Sequence, residues 1–473
     1  MKKYDFIILG AGIAGLAFAK KMSEKEHSIL ILEKEEKVGG LSRTLYHQGY
    51  YLDFCAHRIH TNNEELLEEI MSLPGLRLYK HFKKCRIYMF SKYLKYPFEI
   101  QNLLRAMPIH KSFLGGASFL TTTLLRKFKN PKIRSYKDWF IYFYGKELYN
   151  VMCYPYASKI WSIDPGKISV DWADQRFPKE DLSRLVKRVL KKLITLDFSK
   201  YTLEDEKLAP DGGIFYYPLN GVQELPDALA KFSIKNGSKI ICSAKINKIS
   251  TKKKTLNYTH NNKKYTAKYD NLISTIPLHD FYKLQERRDK KIESLLKKLK
   301  YMDIIFVYLF INKERISNDC WLYFPDKDII FNRAVEFKNW SSSMCPKNKT
   351  AVCFDITSYS GDKIWSLSDK KIAEKVISDA KKISYLGKRE DVGSYVFRVK
   401  NAYPVYDLNY REKLNAIVKF LESGHCFLLG RTGMFRYNNL DNSIEMAFEL
   451  ADNFIKNKNK KSIYDFKIKK ISY

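Results

Sequence analysis

The stretch that decides the fold runs Tyr4-Asp5-Phe6-Ile7-Ile8-Leu9-Gly10-Ala11-Gly12-Ile13-Ala14-Gly15. Tyr4 to Leu9 reads as a buried strand, and the glycine turn hands it to a helix that runs through Met22. Each glycine has its own task. Gly10 permits a tight turn, Gly12 lets backbone approach a pyrophosphate, and Gly15 lets helix and strand pack closely. The first helical turn, which carries Ala14, offers unpaired N–H groups and the positive end of the helix dipole to phosphate oxygens. A second strand, Ser28 to Leu32, ends at Glu33, 18 residues after Gly15, where a carboxylate accepts hydrogen bonds from ribose hydroxyls. This order of strand, turn, helix and acid predicts a βαβ opening, a parallel sheet covered by helices, and a dinucleotide site.

The residues beyond Glu33 separate the dinucleotides. Lys34 to Val38 lead to Gly39-Gly40-Leu41-Ser42-Arg43-Thr44. A second glycine pair lets backbone approach the diphosphate and ribityl chain of FAD, and Arg43 adds charge; simple NAD domains lack it. The cofactor set read here is Gly10, Gly12, Ala14, Gly15, Glu33, Lys34, Gly40, Leu41, Ser42 and Arg43. Neither a second complete fingerprint for NAD(P)H nor a covalent flavin-cysteine motif is present, so the expected cofactor is noncovalent FAD. The fold class is α/β: a Rossmann-type FAD-binding domain with an inserted α+β substrate domain.

The rest of the chain divides accordingly. Segments 1–75, 205–285 and 400–460 are expected to build the FAD domain, with a helix from Leu225 to Asn236, a strand from Asn271 to Thr275 and a closing helix from Ser443 to Ile455. Segment 76–204 reads as mainly helical, 286–399 as sheet-containing, and 461–473 as a basic tail. The 473 residues are 45% hydrophobic and 14% aromatic, a globular composition. The net charge of +32 attracts anions, or reflects lysines spread over solvated faces. No zinc-finger spacing or RNA-binding signature appears, so nucleic acid is not an expected partner. Eight cysteines without close pairs predict reduced thiols in a cytoplasmic protein and no metal site. Lys2, Lys3 and the apolar stretch to Ala19 mimic a signal peptide, but Asp5 interrupts the basic start and the motif continues to Glu33. Phe113 to Leu125 is apolar with basic residues after it, and Lys187 to Lys200 is basic and amphipathic. Each either lies weakly against the inner face of an anionic membrane or packs on the substrate domain with its lysines in solvent.

Further motifs keep a common order. They are His57-x-x-His60-Thr61-Asn62-Asn63, Tyr96-Pro97-Phe98, Tyr156-x-x-Lys159-x-Trp161, Asp171-Trp172 with Arg176, and Gly430-Arg431-Thr432-Gly433 with Tyr437 and Asp441. In this series the chain resembles the UDP-galactopyranose mutase family and the related amine-oxidase or protoporphyrinogen-oxidase-like flavoproteins. The resemblance implies that Gly430 and Arg431 contact the FAD pyrophosphate. It puts Asp441 and Ser443, at the start of the last helix, near the flavin, and His57 and His60 beside the isoalloxazine ring. It also implies that Arg176 and Tyr437 hold the diphosphate of a sugar nucleotide. His57, His60, Arg176 and Tyr437 are thus the candidate catalytic residues. Plainer readings stand beside these: structural histidines, Trp161 and Trp172 as core aromatics, Arg176 paired with Asp171, and Tyr437 anchoring the chain. Two departures stand out. Met302 occupies the position where the family carries an Arg, and Cys55-Ala56 precede His57 where glycine is usual.

Two functions are open for a small-molecule substrate. One is a mutase-like reaction on a nucleotide sugar or glycan precursor in surface-polysaccharide synthesis, with reduced flavin as nucleophile at the anomeric carbon. The other is an oxidoreductase of amine oxidase, protoporphyrinogen oxidase or desaturase type. A polar pocket lined by Arg and Tyr favours the first, an apolar tunnel the second.

Overall fold

Lys2–Leu9 lies inside a seven-stranded sheet, parallel to Ile29–Leu32 on one side and to Lys263–Ser274 on the other. The computed structural model describes residues 1–96, 106–126, 128, 131–176, 213–389, 392–423 and 425–456, with Gln175 and Arg176 by backbone alone. Lys239–Ile241 adds a parallel edge beyond Ile29–Leu32, and Cys426–Leu428 pairs in parallel with the end of Lys263–Ser274. On the other edge Lys245–Ser250, Thr255–His260 and Lys263–Ser274 form an antiparallel meander. Phe6 to Leu9 are all buried, as strands covered on both faces require. The helix Ile13–Ser23 buries ten of its eleven residues between Glu224–Lys235 and Leu440–Ile455, so it is hydrophobic nearly all round. Phe6, Phe18 and Phe454 lock that layer through edge-to-face contacts of 5.1 to 5.9 Å.

The second large sheet orders Val392–Pro404, Tyr301–Ile311, Thr350–Ser358, Arg333–Glu336, Trp321–Tyr323, Cys85–Met89 and Lys92–Lys95. Tyr301–Ile311 is its spine. Ile304, Phe306 and Tyr308 face the core shared with the dinucleotide layer, whereas Ile305, Val307 and Leu309 pack under the helix Asp369–Lys382. That period-2 split is what a strand with two covered faces produces.

The structure differs from the sequence reading in three places. Residues 78–95 form three strands, Leu78–Phe82, Cys85–Met89 and Lys92–Lys95, before any of the helices of segment 76–204 begins. Their alternation is short and interrupted by basic and aromatic residues. Val392–Pro404 runs as one strand of the second sheet across residue 400. The closing helix begins at Leu440 because Asn439 and Asn442 form a reciprocal cap. Lys187 to Lys200 and the basic tail 461–473 lie outside the described residues. Among the described residues no helix is long and apolar enough to cross a membrane, and no His, Cys, Asp or Glu cluster is placed to hold a metal ion.

Candidate active site

The glycine turn is assembled as its chemistry demands. Gly10 has a φ of +97°, and a Cβ there would come 2.5 Å from Thr275 Oγ1. A Cβ on Gly15 would strike the Gly10 carbonyl at 2.4 Å. Gly12 is different: a Cβ built on it meets nothing within 4 Å. It therefore faces open space at the start of a helix with no side-chain cap, the geometry of an anion cradle. Glu33 is buried and held in place, with Oε2 accepting from Ala11 N–H at 2.7 Å and Oε1 from Glu35 N–H at 3.0 Å. The second glycine pair docks on the first turn. Gly39 N–H donates to the Ala11 carbonyl at 2.8 Å, and a Cβ on Gly40 would lie 3.1 Å from Gly12 Cα. Arg43 reaches the Gly40 carbonyl at 3.0 Å and Glu35 at 3.4 Å. Ser42 is buried and Leu41 half-buried, whereas the Lys34 side chain is 81% exposed and reaches only Glu35.

The last part of the motif closes over the same helix. Gly430, with φ +77°, leaves just 2.9 Å between its would-be Cβ and Ala14 Cβ. Asp441 lies buried in the first turn of the closing helix, and its Oδ2 has no hydrogen-bond partner. Burial pushes its pKa up to about 7, opposed by its own and Asn442 N–H groups and by Arg58. Ser443 Oγ bonds the Asn439 carbonyl within the helix at 2.9 Å. His57 Nδ1 is a second buried polar atom without a well-placed partner, although the Phe54 and Cys55 carbonyls lie near. An open cradle at Gly12, a pinned ribose acid and two orphaned polar atoms fit a flavin dinucleotide.

Beside this site lies a polar wall. His57, Arg58, Tyr323, Arg333, Tyr403 and Arg431 are half-buried and linked to one another by electrostatic contacts. The Arg431 guanidinium lies 5.0 Å from the Tyr403 ring and 5.4 Å from the Tyr437 ring, and these rings are 5.4 Å apart. Its Nε and Nη2 donate to the Asn438 carbonyl. Arg333 pairs with Asp355 at 2.6 and 2.8 Å. Burial, then Arg431 and Arg333, push the His57 pKa down to about 3, so the imidazole is neutral throughout the physiological range. Burial and the neighbouring Tyr437 keep the Tyr403 phenol above its ordinary value, and thus protonated, despite both arginines.

The remaining predicted residues take individual places. His60 is buried, with Nδ1 2.8 Å from the Ile214 carbonyl, next to the bridge between Ile59 and Tyr216. Tyr437 is buried, and its N–H bonds the Tyr406 hydroxyl at 2.6 Å. Arg176 ends the helix Val170–Arg176, but its side chain lies outside the described residues, as do Pro97 and Phe98. Asp171 pairs with Arg411 at 2.7 Å. Trp161 and Trp172 are buried against each other, edge to face at 5.3 Å, as core aromatics. Met302 is fully buried opposite Tyr403, where the strand bulges, and Arg333 reaches the surroundings of Tyr403 from a different strand. Cys55 adopts φ +64°, which explains why glycine suits that position, and its Sγ meets Asp355 Oδ2 at 3.3 Å. Sequence reasoning missed Arg58, Arg333 and Tyr403. Tyr403 stands in a Tyr-Pro pair that offered a signal; Arg333 carried none.

The chain is similar to several known proteins. The model of the "Flavin containing amine oxidoreductase" family matches residues 13–413. UDP-galactopyranose mutase of Mycoplasma pneumoniae is 34% identical over 87 residues, covering 17% of this chain and 21% of that one. Protoporphyrinogen oxidase 2 of Arabidopsis thaliana is 22% identical over 454 residues, 87% of this chain and 86% of the relative. The crystal structure of reduced UDP-galactopyranose mutase superimposes with a TM-score of 0.84 at 19% identity, covering 98% of both chains, which shows a shared fold. The cofactor is FAD, the protein is an enzyme, and the chain belongs to the flavin-containing amine oxidoreductase family.

Proposed function

We propose that this enzyme works as a mutase-like catalyst on a diphosphate-bearing sugar, a precursor for surface polysaccharide. The observation that carries the reading is the cluster of Arg333, Arg431, Tyr403 and Tyr437 around a neutral His57. Arginine forks and protonated phenols donate to phosphate oxygens. The local identity to the Mycoplasma pneumoniae mutase supports the same substrate class. When bound, FAD supplies a nucleophile in its reduced state or a hydride acceptor in its oxidised state. The chain's own work is positional. Arg431 and the Gly12 turn hold the cofactor's phosphates, Tyr403, Tyr437 and Arg333 orient the substrate diphosphate, and Arg176 adds a further fork. His57, uncharged, offers a hydrogen bond at the ring without taking part as an imidazolium. On this reading segments 1–75, 205–285 and 400–460 form the cofactor domain.

A second reading, an oxidoreductase of protoporphyrinogen oxidase type, draws on the full-length similarity to the Arabidopsis thaliana relative. One experiment separates them. Holoprotein is assayed with nucleotide sugars before and after dithionite reduction, without an electron acceptor. Turnover in the reduced state alone is expected. Bleaching of oxidised flavin by an amine or porphyrinogen, with no response to nucleotide sugars, would establish the second reading instead.

A further inference from the structure

The helix Ile109–Leu125 stands apart from every other helix described in the protein. Of its seventeen residues Gly115 alone is buried. Ile109 is 88% exposed and Phe113 76%, and Leu114, Leu120, Leu124 and Leu125 are each at least half exposed. At 3.6 residues per turn these six side chains fall within an arc of about 160°. The opposite side is the seam to the body. A Cβ on Gly115 would come 2.8 Å from Leu148 Cδ2, the Ser118 carbonyl packs against Gly145, and Ser118 Oγ accepts from Glu147 N–H at 3.3 Å. Small residues thus seat the helix and turn its large apolar side chains outward.

Two further observations say what that face meets. Two of the three threonine hydroxyls are satisfied within the helix: Thr121 donates to Ala117 at 2.9 Å and Thr123 to Phe119 at 2.8 Å. Hydroxyls folded back on their own helix need no water, which suits immersion in an apolar medium. The charge along this stretch of the chain is of one sign. Between Glu99 and Asp138 the chain has eight lysines and arginines and no carboxylate. Lys111 is exposed on the helix itself, and Lys132 and Arg134 are exposed a few residues beyond it in the chain. A second copy of the chain would bring a like-charged rim against this one, in a protein that already carries +32, whereas an acidic lipid surface attracts it. The helix is about 25 Å long, and no described helix meets the requirements of a membrane span, so it would lie in the interface plane.

We propose that Ile109–Leu125 docks the enzyme on the anionic face of a lipid bilayer, its apolar arc inserted among the acyl chains and its basic rim on the headgroups. The inference holds for either flavin chemistry. It is tested by co-sedimenting holoprotein with vesicles of phosphatidylcholine alone and of equal parts phosphatidylcholine and phosphatidylglycerol. Binding to the anionic vesicles is expected, weakened by salt, and at least tenfold weaker for Phe113→Glu/Leu124→Glu with flavin content and melting unchanged. Equal binding by that variant, or no binding by the unaltered protein, would overturn the proposal. So would a dimer in solution that the variant splits, since the face would then belong to a second copy. Should the double variant lose its flavin, Phe113→Trp decides: a blue shift in emission, relative to unaltered protein, on adding anionic vesicles supports insertion, and its absence refutes it.

Discussion

The glycine turn and the polar wall beside it are made from the chain in different ways. The turn is local. Residues 4 to 44 supply the strand, the cradle, the ribose acid and the second glycine pair, each at a spacing set by strand and helix geometry. The wall is gathered from a distance: His57 and Arg58 from one loop, Arg333 and Tyr403 from two strands, Arg431 from the far end of the chain. A local site announces itself as a pattern. A gathered one acquires meaning only when sheet registers, such as Met302 opposite Tyr403, bring it together.

Substitutions sharpen that contrast, the largest within the turn. Gly15→Val is expected to remove the folded protein, because even its Cβ would lie 2.4 Å from a backbone carbonyl with no room to relax. Soluble, cooperatively melting G15V would refute the close packing of helix on turn. Gly12→Val, with nothing in its way but the cofactor's place, should leave a folded apoprotein with under a tenth of the flavin. Full yellow colour in G12V would mean that the cradle has been misread.

Effects in the wall are smaller. Arg333→Met keeps the flavin but should weaken nucleotide-sugar binding by about 1.5–3 kcal/mol, the worth of a charged hydrogen bond. Some loss of stability accompanies it, since Asp355 loses its partner. Unchanged affinity in calorimetry would take Arg333 out of the substrate site.

The smallest effect is a pH slope in the apoprotein. Asp53 and Asp441 are both raised to about 7, chiefly by burial. The folded state then holds protons that the unfolded chain releases near pH 4. Stability therefore falls as pH rises from about 4 to about 7 and levels off above. His57, lowered to about 3, acts oppositely: stability is lost as pH falls below about 6.5, because only the unfolded chain takes up the proton. Asp441→Asn should flatten the slope between pH 5 and 7 in thermal melts. The original slope in D441N would assign it elsewhere.

Legibility divided in the same way. The βαβ opening could be read because periodicity and glycine spacing are short-range facts. The capped start of the last helix hid in Asn439 and Asn442, since two asparagines also read as loop. His60 shares its motif with His57, but sequence spacing does not say which ring joins the polar wall and which meets the Ile214 carbonyl. Lys159, quoted for its motif, donates to the Phe324 and Phe331 carbonyls at 2.7 and 2.6 Å and ties its helix to the second sheet. Nothing in its neighbours foretells those carbonyls, because they lie far along the chain.

Gly430 closing on Ala14 has a consequence for how the protein is made. On the ribosome the cradle emerges more than four hundred residues before the helix that flanks it, Leu440–Ile455. The strand Lys2–Leu9 must also wait for Lys263–Ser274 before it has its second neighbour. Completion of the site therefore waits for Leu440–Ile455, and until then the face of Ile13–Ser23 that packs on it has no cover. A cell making this enzyme must hold a nascent stretch of more than four hundred residues soluble until these two segments meet.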